Sequence, residues 1–200
     1  MDVHEAVTKR RSIRRFKDVT VAYAILERCV NAARLAPATR NCQLCEYVVV
    51  DDEQLLPQVY DTIAIWAGQP AAKGGPPLEH RPKAYIVTLI NTSLEAELGG
   101  TRRVTIYYDV GMAAENMILV ALEQGIGICP MLSFKQTELK QVLNIPDNYE
   151  IALVLALGYP DESPVLEVAT DSVKYWIDSK GVRHVPKREL RDIIHRNKFP

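Results

Sequence analysis

Six cations fall within nine residues near the start of this chain: Lys9, Arg10, Arg11, Arg14, Arg15 and Lys17, with no acid among them. A guanidinium fork pairs well with phosphate oxygens, and Ser12 adds a hydroxyl donor, so one chemistry on offer is capture of a small phosphate. Two plainer readings stay open on charge alone. One is a solvated patch at a helix C-terminus, where cations suit the dipole. The other is a targeting segment, which Asp2, Glu5 and Asp18 oppose. The whole chain is nearly neutral, with 24 Lys and Arg against 25 Asp and Glu over 200 residues. That balance argues against nucleic-acid binding through a generally basic surface.

Other chemical signatures are sparse. Gly125-Ile126-Gly127 lacks the third glycine of a dinucleotide fingerprint and follows a helix pattern. No P-loop, H-E-x-x-H or G-x-S-x-G occurs. His4, His80, His184 and His195 are too scattered to suggest a metal site. Cys42 and Cys45 form a C-x-x-C, half of a structural zinc set, with no evident second half. The pair runs into a strand pattern rather than a helix start, so small buried thiols are favoured over a redox dithiol. Cys29 and Cys129 complete a count too low for a disulfide framework. With no secretory pattern and no run of about 18 apolar residues, the expectation is a cytoplasmic protein that does not cross a membrane.

These residues need positioning. Helical spacing marks 2–9, 21–35 up to Pro37, 54–66, 103–124 and 135–143. Strand patterns mark 46–50, 84–90 and 151–157. The 103–124 helix is apolar around much of its circumference, which predicts burial on several sides, inside the domain or in a subunit interface. Glycines and prolines make 68–82 a mobile loop. Residues 161–186 read as irregular and 188–196 as a last basic helix. The 48% hydrophobic content and the length suit one ordered domain. Strands and helices mix without βαβ regularity, which gives an α+β class.

Six blocks occur in order: RRSIRRF at 10–16, APATRNCQ at 36–43, YDVGMAAEN at 108–116, GIGICPMLSF at 125–134, LVLALGYP at 153–160 and PKREL at 186–190. Together they resemble the FMN-dependent nitroreductase family over nearly the whole chain. The resemblance implies a sandwich with a central mixed, mainly antiparallel sheet flanked by helices. It implies a single FMN-binding domain over 1–200, with a C-terminal extension from 161, and an obligate homodimer carrying flavin at the interface. It maps the flavin's phosphate, ribityl and pyrimidine contacts onto Arg10, Arg11, Ser12 and Arg14. It maps the segment lining the ring and the dimer partner onto Pro37, Ala38, Thr39 and Asn41. Pro130, Met131, Leu132 and Ser133 match the loop facing the ring's N5 and O4, and Lys187 and Arg188 match a late basic pair at the phosphate.

The implied activity is ping-pong hydride transfer from NADH or NADPH through FMN to a small acceptor such as a nitroaromatic or quinone. No side-chain acid or base is obligatory, so no catalytic residue is named. The alternatives are a storage or sensor protein with little turnover, or a relative performing reductive dehalogenation or flavin fragmentation. Leu44 and Cys45 replace the family's common Pro-Trp, which alters the pocket over the ring. Asn41 as a turn cap, Pro130 as a strand end, and Lys187 and Arg188 as a helix start are the structural alternatives. Cations at a helix start oppose the dipole, which makes a bound anion there more attractive. Tyr107, Tyr108 and Met112 suit a core or interface, and Trp66 either covers the flavin or packs beneath it.

Overall fold

A computed structural model describes residues 1–98 and 103–199. The chain divides into two compact units, Met1–Asp161 and Glu162–Pro200. The first contains, in order, α1 (Val3–Lys9), α2 (Tyr23–Arg34), β1 (Cys45–Val50), α3 (Leu55–Thr62), β2 (Ile65–Trp66), β3 (Gln69–Pro70), α4 (Ala71–Gly74), β4 (Ala84–Asn91), α5 (Thr92–Leu98), α6 (Arg103–Glu123), β5 (Gly127–Met131), α7 (Gln136–Val142) and β6 (Tyr149–Gly158). The second contains β7 (Val165–Val168), β8 (Trp176–Ile177) and β9 (Arg183–Lys187).

The main sheet runs β1-β4-β6-β5, antiparallel at every strand pair. A parallel bridge between Ser12 and Ile128 makes the pairing mixed. Both faces of β4 and β6 are covered, which explains their nearly unbroken apolar sequence. Ala84, Ile86 and Ile90 of β4 face the α2 and α6 side, with Leu153, Leu155 and Leu157 of β6. Tyr85, Val87 and Leu89, with Val154 and Ala156, face the α3 and α7 side. Opposite Thr88 and Leu89, β6 skips from Leu153 to Ile151. Ala152 is therefore an extra residue, a bulge, and it joins Leu153 on the α2 and α6 side.

The RRSIRRF segment crosses two strands on its apolar residues. The Ile13 N–H donates to the Ile128 carbonyl at 3.0 Å, and Phe16 bridges Pro160. Ile13 and Phe16 are buried. They fit because two glycines leave room. A Cβ on Gly127 would stand 2.5 Å from Ile13 Cγ1, and one on Gly158 would stand 2.8 Å from Phe16 Cδ1.

Several elements refine or depart from the sequence pattern. Residues 68–82 hold β3, α4 and a 3-10 turn at Leu78–His80, and β3 closes a hairpin with β2. Trp66 lies in the core, 5.6 Å from the Tyr60 ring. Residues 127–131 are an edge strand that the glycines and Pro130 concealed. The α6 helix is buried along one side, from Ile106 to Ala121, whereas Val104, Tyr107, Tyr108 and Met112 stand exposed.

In the second unit, 161–186 is not irregular. β9 pairs parallel with β7 and antiparallel with β8. Side chains tie these short strands: the Trp176 ring stacks on His184 at 4.0 Å, and its indole N–H donates to Glu167 at 2.7 Å. A polar tie of that kind leaves no apolar periodicity to read. The expected helix over 188–196 is one 3-10 turn, Leu190–Asp192. Its apolar residues Leu190, Ile193 and Ile194 are exposed, so no buried face supports a longer helix within the unit.

Gly127→Ala is expected to destabilise the protein by about 1–3 kcal/mol, because Ile13 must move from a packed position. Denaturant unfolding of the full chain measures this; an unchanged midpoint would refute the close-approach account.

Candidate functional site

The arginine segment begins where α1 ends. Arg10 caps the helix through its N–H to the Ala6 carbonyl, and the following residues are extended along β5. With Ile13 and Phe16 turned inward, the cations are left to the outside. Arg10 Nε lies 3.4 Å from Glu115 of α6. Arg11 donates through Nη1 to the Arg10 carbonyl, while its Nε is buried without any hydrogen-bond partner. Burial, and then the adjacent Arg10 charge, hold the Arg11 guanidinium below the usual arginine range. Arg14 Nη1 lies 3.4 Å from the Ser12 carbonyl, to which it donates. Two neighbouring cations, one partly desolvated with an unmatched N–H, form a cradle that an anion would complete.

Ser12 bridges Ile128, and Pro130 follows two residues along the same strand, about 7 Å further. The fold thus brings the arginine block and the 130–133 loop together. Pro130 sits on the edge strand, where its missing N–H costs no ladder bond. Met131 is buried and Leu132 is 78% exposed. The Ser133 carbonyl accepts from the Ala64 N–H at 3.0 Å, fastening the loop to the residue before β2.

The 37–43 turn is organised by a residue that the sequence reading passed over. Asp109 lies on α6 and is 6% exposed. Its carboxylate accepts from the Thr39 N–H and from the Thr39 hydroxyl, each at 2.9 Å. The Thr39 hydroxyl is therefore committed to Asp109. Arg40, Asn41 and Gln43 then take positive φ angles of 52°, 56° and 51°. Asn41 is an exposed left-handed turn residue. The available signal was a lone acid inside an otherwise apolar stretch of helix.

Beneath this turn is a cavity of about 140 Å³, lined by Pro37, Ala38, Leu44, Cys45, Tyr47 and Asp109 among others. Burial, and secondarily the Asp109 charge, push the Cys45 thiol up to about 11, against the effect of a Tyr47 hydrogen bond. It therefore stays protonated near neutral pH, which does not suit thiolate chemistry. No disulfide joins the described cysteines.

Asp109 and Glu115 lie six residues apart on one helix, about 120° apart around its axis. Within one chain the 37–41 turn and the arginine segment thus fasten to different sides of α6. Lys187 and Arg188 belong to the second unit. Lys187 ends β9, and Arg188 donates to the Asp192 carbonyl at 2.7 Å. No helix starts there, so the dipole argument for an anion at that pair falls away. Among the described residues, no cluster of three or more His, Cys, Asp or Glu side chains could hold a metal, and no helix is long and apolar enough to cross a membrane.

Asp109→Ala is expected to cost about 3 kcal/mol, since it strands the Thr39 N–H and removes two charge-assisted bonds. Thr39→Val, which removes only the hydroxyl bond, should cost about half as much. Equal unfolding midpoints for the two variants would sink this assignment.

Comparison with known proteins agrees with the architecture. A relative from Methanothermobacter thermautotrophicus, named for NADH dehydrogenase/NAD(P)H nitroreductase activity, is 27% identical over 172 residues, spanning 82% of this chain and 80% of that protein. The crystal structure of a nitroreductase family protein from Clostridium novyi NT superposes with a TM-score of 0.68 at 26% identity, covering 82% of this chain and 87% of that one. An FMN-dependent nitroreductase from Clostridium difficile R20291 shares the fold, with a TM-score of 0.67 at 24% identity over 97% of this chain and 98% of that one. The model of the Nitroreductase family matches residues 7–159, and the chain belongs to that family.

Proposed function

We propose that this protein is an FMN-dependent oxidoreductase that moves hydride from NADH or NADPH to a small acceptor such as a nitroaromatic or quinone. The observation that carries the reading is the Arg10–Arg11 pair. A near-neutral protein has placed adjacent guanidinium groups on a rigid segment, with Arg11 Nε buried and unmatched. A doubly negative phosphate meets that need better than water does. FMN, when bound, supplies hydride acceptance and donation at its N5.

The chain's own residues would hold and orient it. Arg10, Arg11, Ser12 and Arg14 would take the phosphate and polar chain. Pro130, Met131, Leu132 and Ser133 would border the ring. Pro37, Ala38, Thr39 and Asn41 would line the ring held mainly by a partner chain, in keeping with their attachment to a different side of α6. The exposed stripe of Val104, Tyr107, Tyr108 and Met112 supports a homodimer, because an apolar surface of that kind favours burial against a second copy. A cytoplasmic location accords with this chemistry.

The purified protein should be yellow and dimeric. Arg11→Ala should weaken FMN binding by at least about tenfold, and Arg196→Ala, at an exposed position, should leave it within about twofold. Anaerobic NADH or NADPH should bleach the colour, and 4-nitrobenzoate or a quinone should restore it. A protein that takes up no flavin would refute the reading. Bleaching without reoxidation by either acceptor would replace it with a storage role.

A further inference from the structure

A cavity of about 620 Å³ in the first unit contains none of the residues assigned to the flavin. It lies among α3, the 78–83 segment, the start of β4 and residues 18–20. Its volume is that of a small-molecule site. Its walls carry opposite charges that do not meet. Arg81 is on one wall, with its guanidinium carbon 3.9 Å above the Tyr60 ring centroid. Asp51, Glu53 and Glu79 also line the cavity. Among the described residues no ion pair joins any of these acids to Arg81. Lys83 is already engaged, 2.5 Å from Asp18.

Polar groups without partners lie at the Arg81 wall. Tyr60 and Tyr85 are 4% and 0% exposed and both line the cavity; the Tyr60 hydroxyl is engaged with Arg81, and the Tyr85 hydroxyl has no hydrogen-bond partner among the described residues. The Arg81 Nε is buried and likewise unmatched. Buried polar groups are nearly always satisfied, so the two unmet donors at this wall, the Tyr85 hydroxyl and Arg81 Nε, call for an acceptor. That acceptor has to be anionic to suit Arg81. An anion alone, however, would also face three unpaired carboxylates. The apolar part of the lining comes from Leu56, Pro57, Leu78 and Pro82 and from the two tyrosine rings.

We propose that this cavity binds a small zwitterion, an α-amino acid with a large apolar side chain. Its carboxylate is taken by Arg81 with the Tyr85 hydroxyl, its ammonium by the Asp51, Glu53 and Glu79 group, and its side chain by the leucine and proline wall. This is a second site, independent of the flavin reading.

The test uses the full chain loaded with FMN, or as purified if it holds none. L-phenylalanine, L-leucine, phenethylamine and 3-phenylpropanoate are titrated by calorimetry and by amide chemical shifts. At least one of the two amino acids should bind saturably. Phenethylamine and 3-phenylpropanoate, each lacking one charged end of phenylalanine, should bind at least about tenfold more weakly than the better amino acid. Arg81→Gln should reduce amino-acid binding to the level of the amine. The double variant Asp51→Asn, Glu53→Gln, at more exposed positions, should reduce it toward that of the acid while leaving the thermal midpoint in place. Binding of neither amino acid at millimolar concentration would overturn the proposal. So would 3-phenylpropanoate or phenethylamine binding as well as the amino acids, which would mark a plain anion or cation site. Amino-acid binding that neither variant alters would also overturn it.

Discussion

A carboxylate inside an apolar helix is tolerated only when its oxygens are matched, and both oxygens of Asp109 accept from Thr39 of a distant segment. That pairing fixes where the chain leaving α2 turns back toward β1. Three residues with side chains accept left-handed backbone in the space of four positions, at a cost of about 1 kcal/mol or more each. The turn therefore exists because Asp109 and the packing around it hold it. Its geometry is set by the core, although the residues it presents are on the surface.

The arginine segment follows a related logic with different means. Its cations repel one another, and Glu115 lies 3.4 Å from Arg10 Nε. What keeps them together is apolar: Ile13 over Gly127 and Phe16 over Gly158. Hydrophobic burial of two side chains thus maintains an electrostatic arrangement that would otherwise disperse. An anion bound there would gain a preorganised cradle without having to gather it.

Much of this was legible in the sequence. The long helices and the buried strands announced themselves by period and by apolar runs, because both faces of β4 and β6 are covered. The ordered family blocks gave the architecture and the candidate residues. Other elements were hidden for physical reasons. β5 carries Gly127 and Pro130, which signal a loop, yet glycine is needed there for close approach and proline is harmless on an edge. The small strands of the second unit are joined by Trp176, His184 and Glu167, whose stacking and hydrogen bonds have no sequence period. Asp109 was quoted within a motif but given no task, since its partner lies 70 residues away. The unmatched hydroxyl of Tyr85 is invisible in one dimension, because partnerlessness is a property of three-dimensional surroundings.

The backbone around the arginines carries one more meaning. Ile13 donates to Ile128, Phe16 to His80 and Lys17 to Tyr159, while the Arg15 carbonyl accepts from Asp161. Three separate parts of the first unit, at 128, 80 and 159–161, are thereby laced to this short segment. Chain ends ordinarily fray, and their amides exchange with solvent at little energetic cost. Here the Ile13 amide is held by β5 and the Phe16 amide by His80 of the 78–80 turn. With Ile13 and Phe16 buried as well, the position of this stretch is set by tertiary bonds and packing.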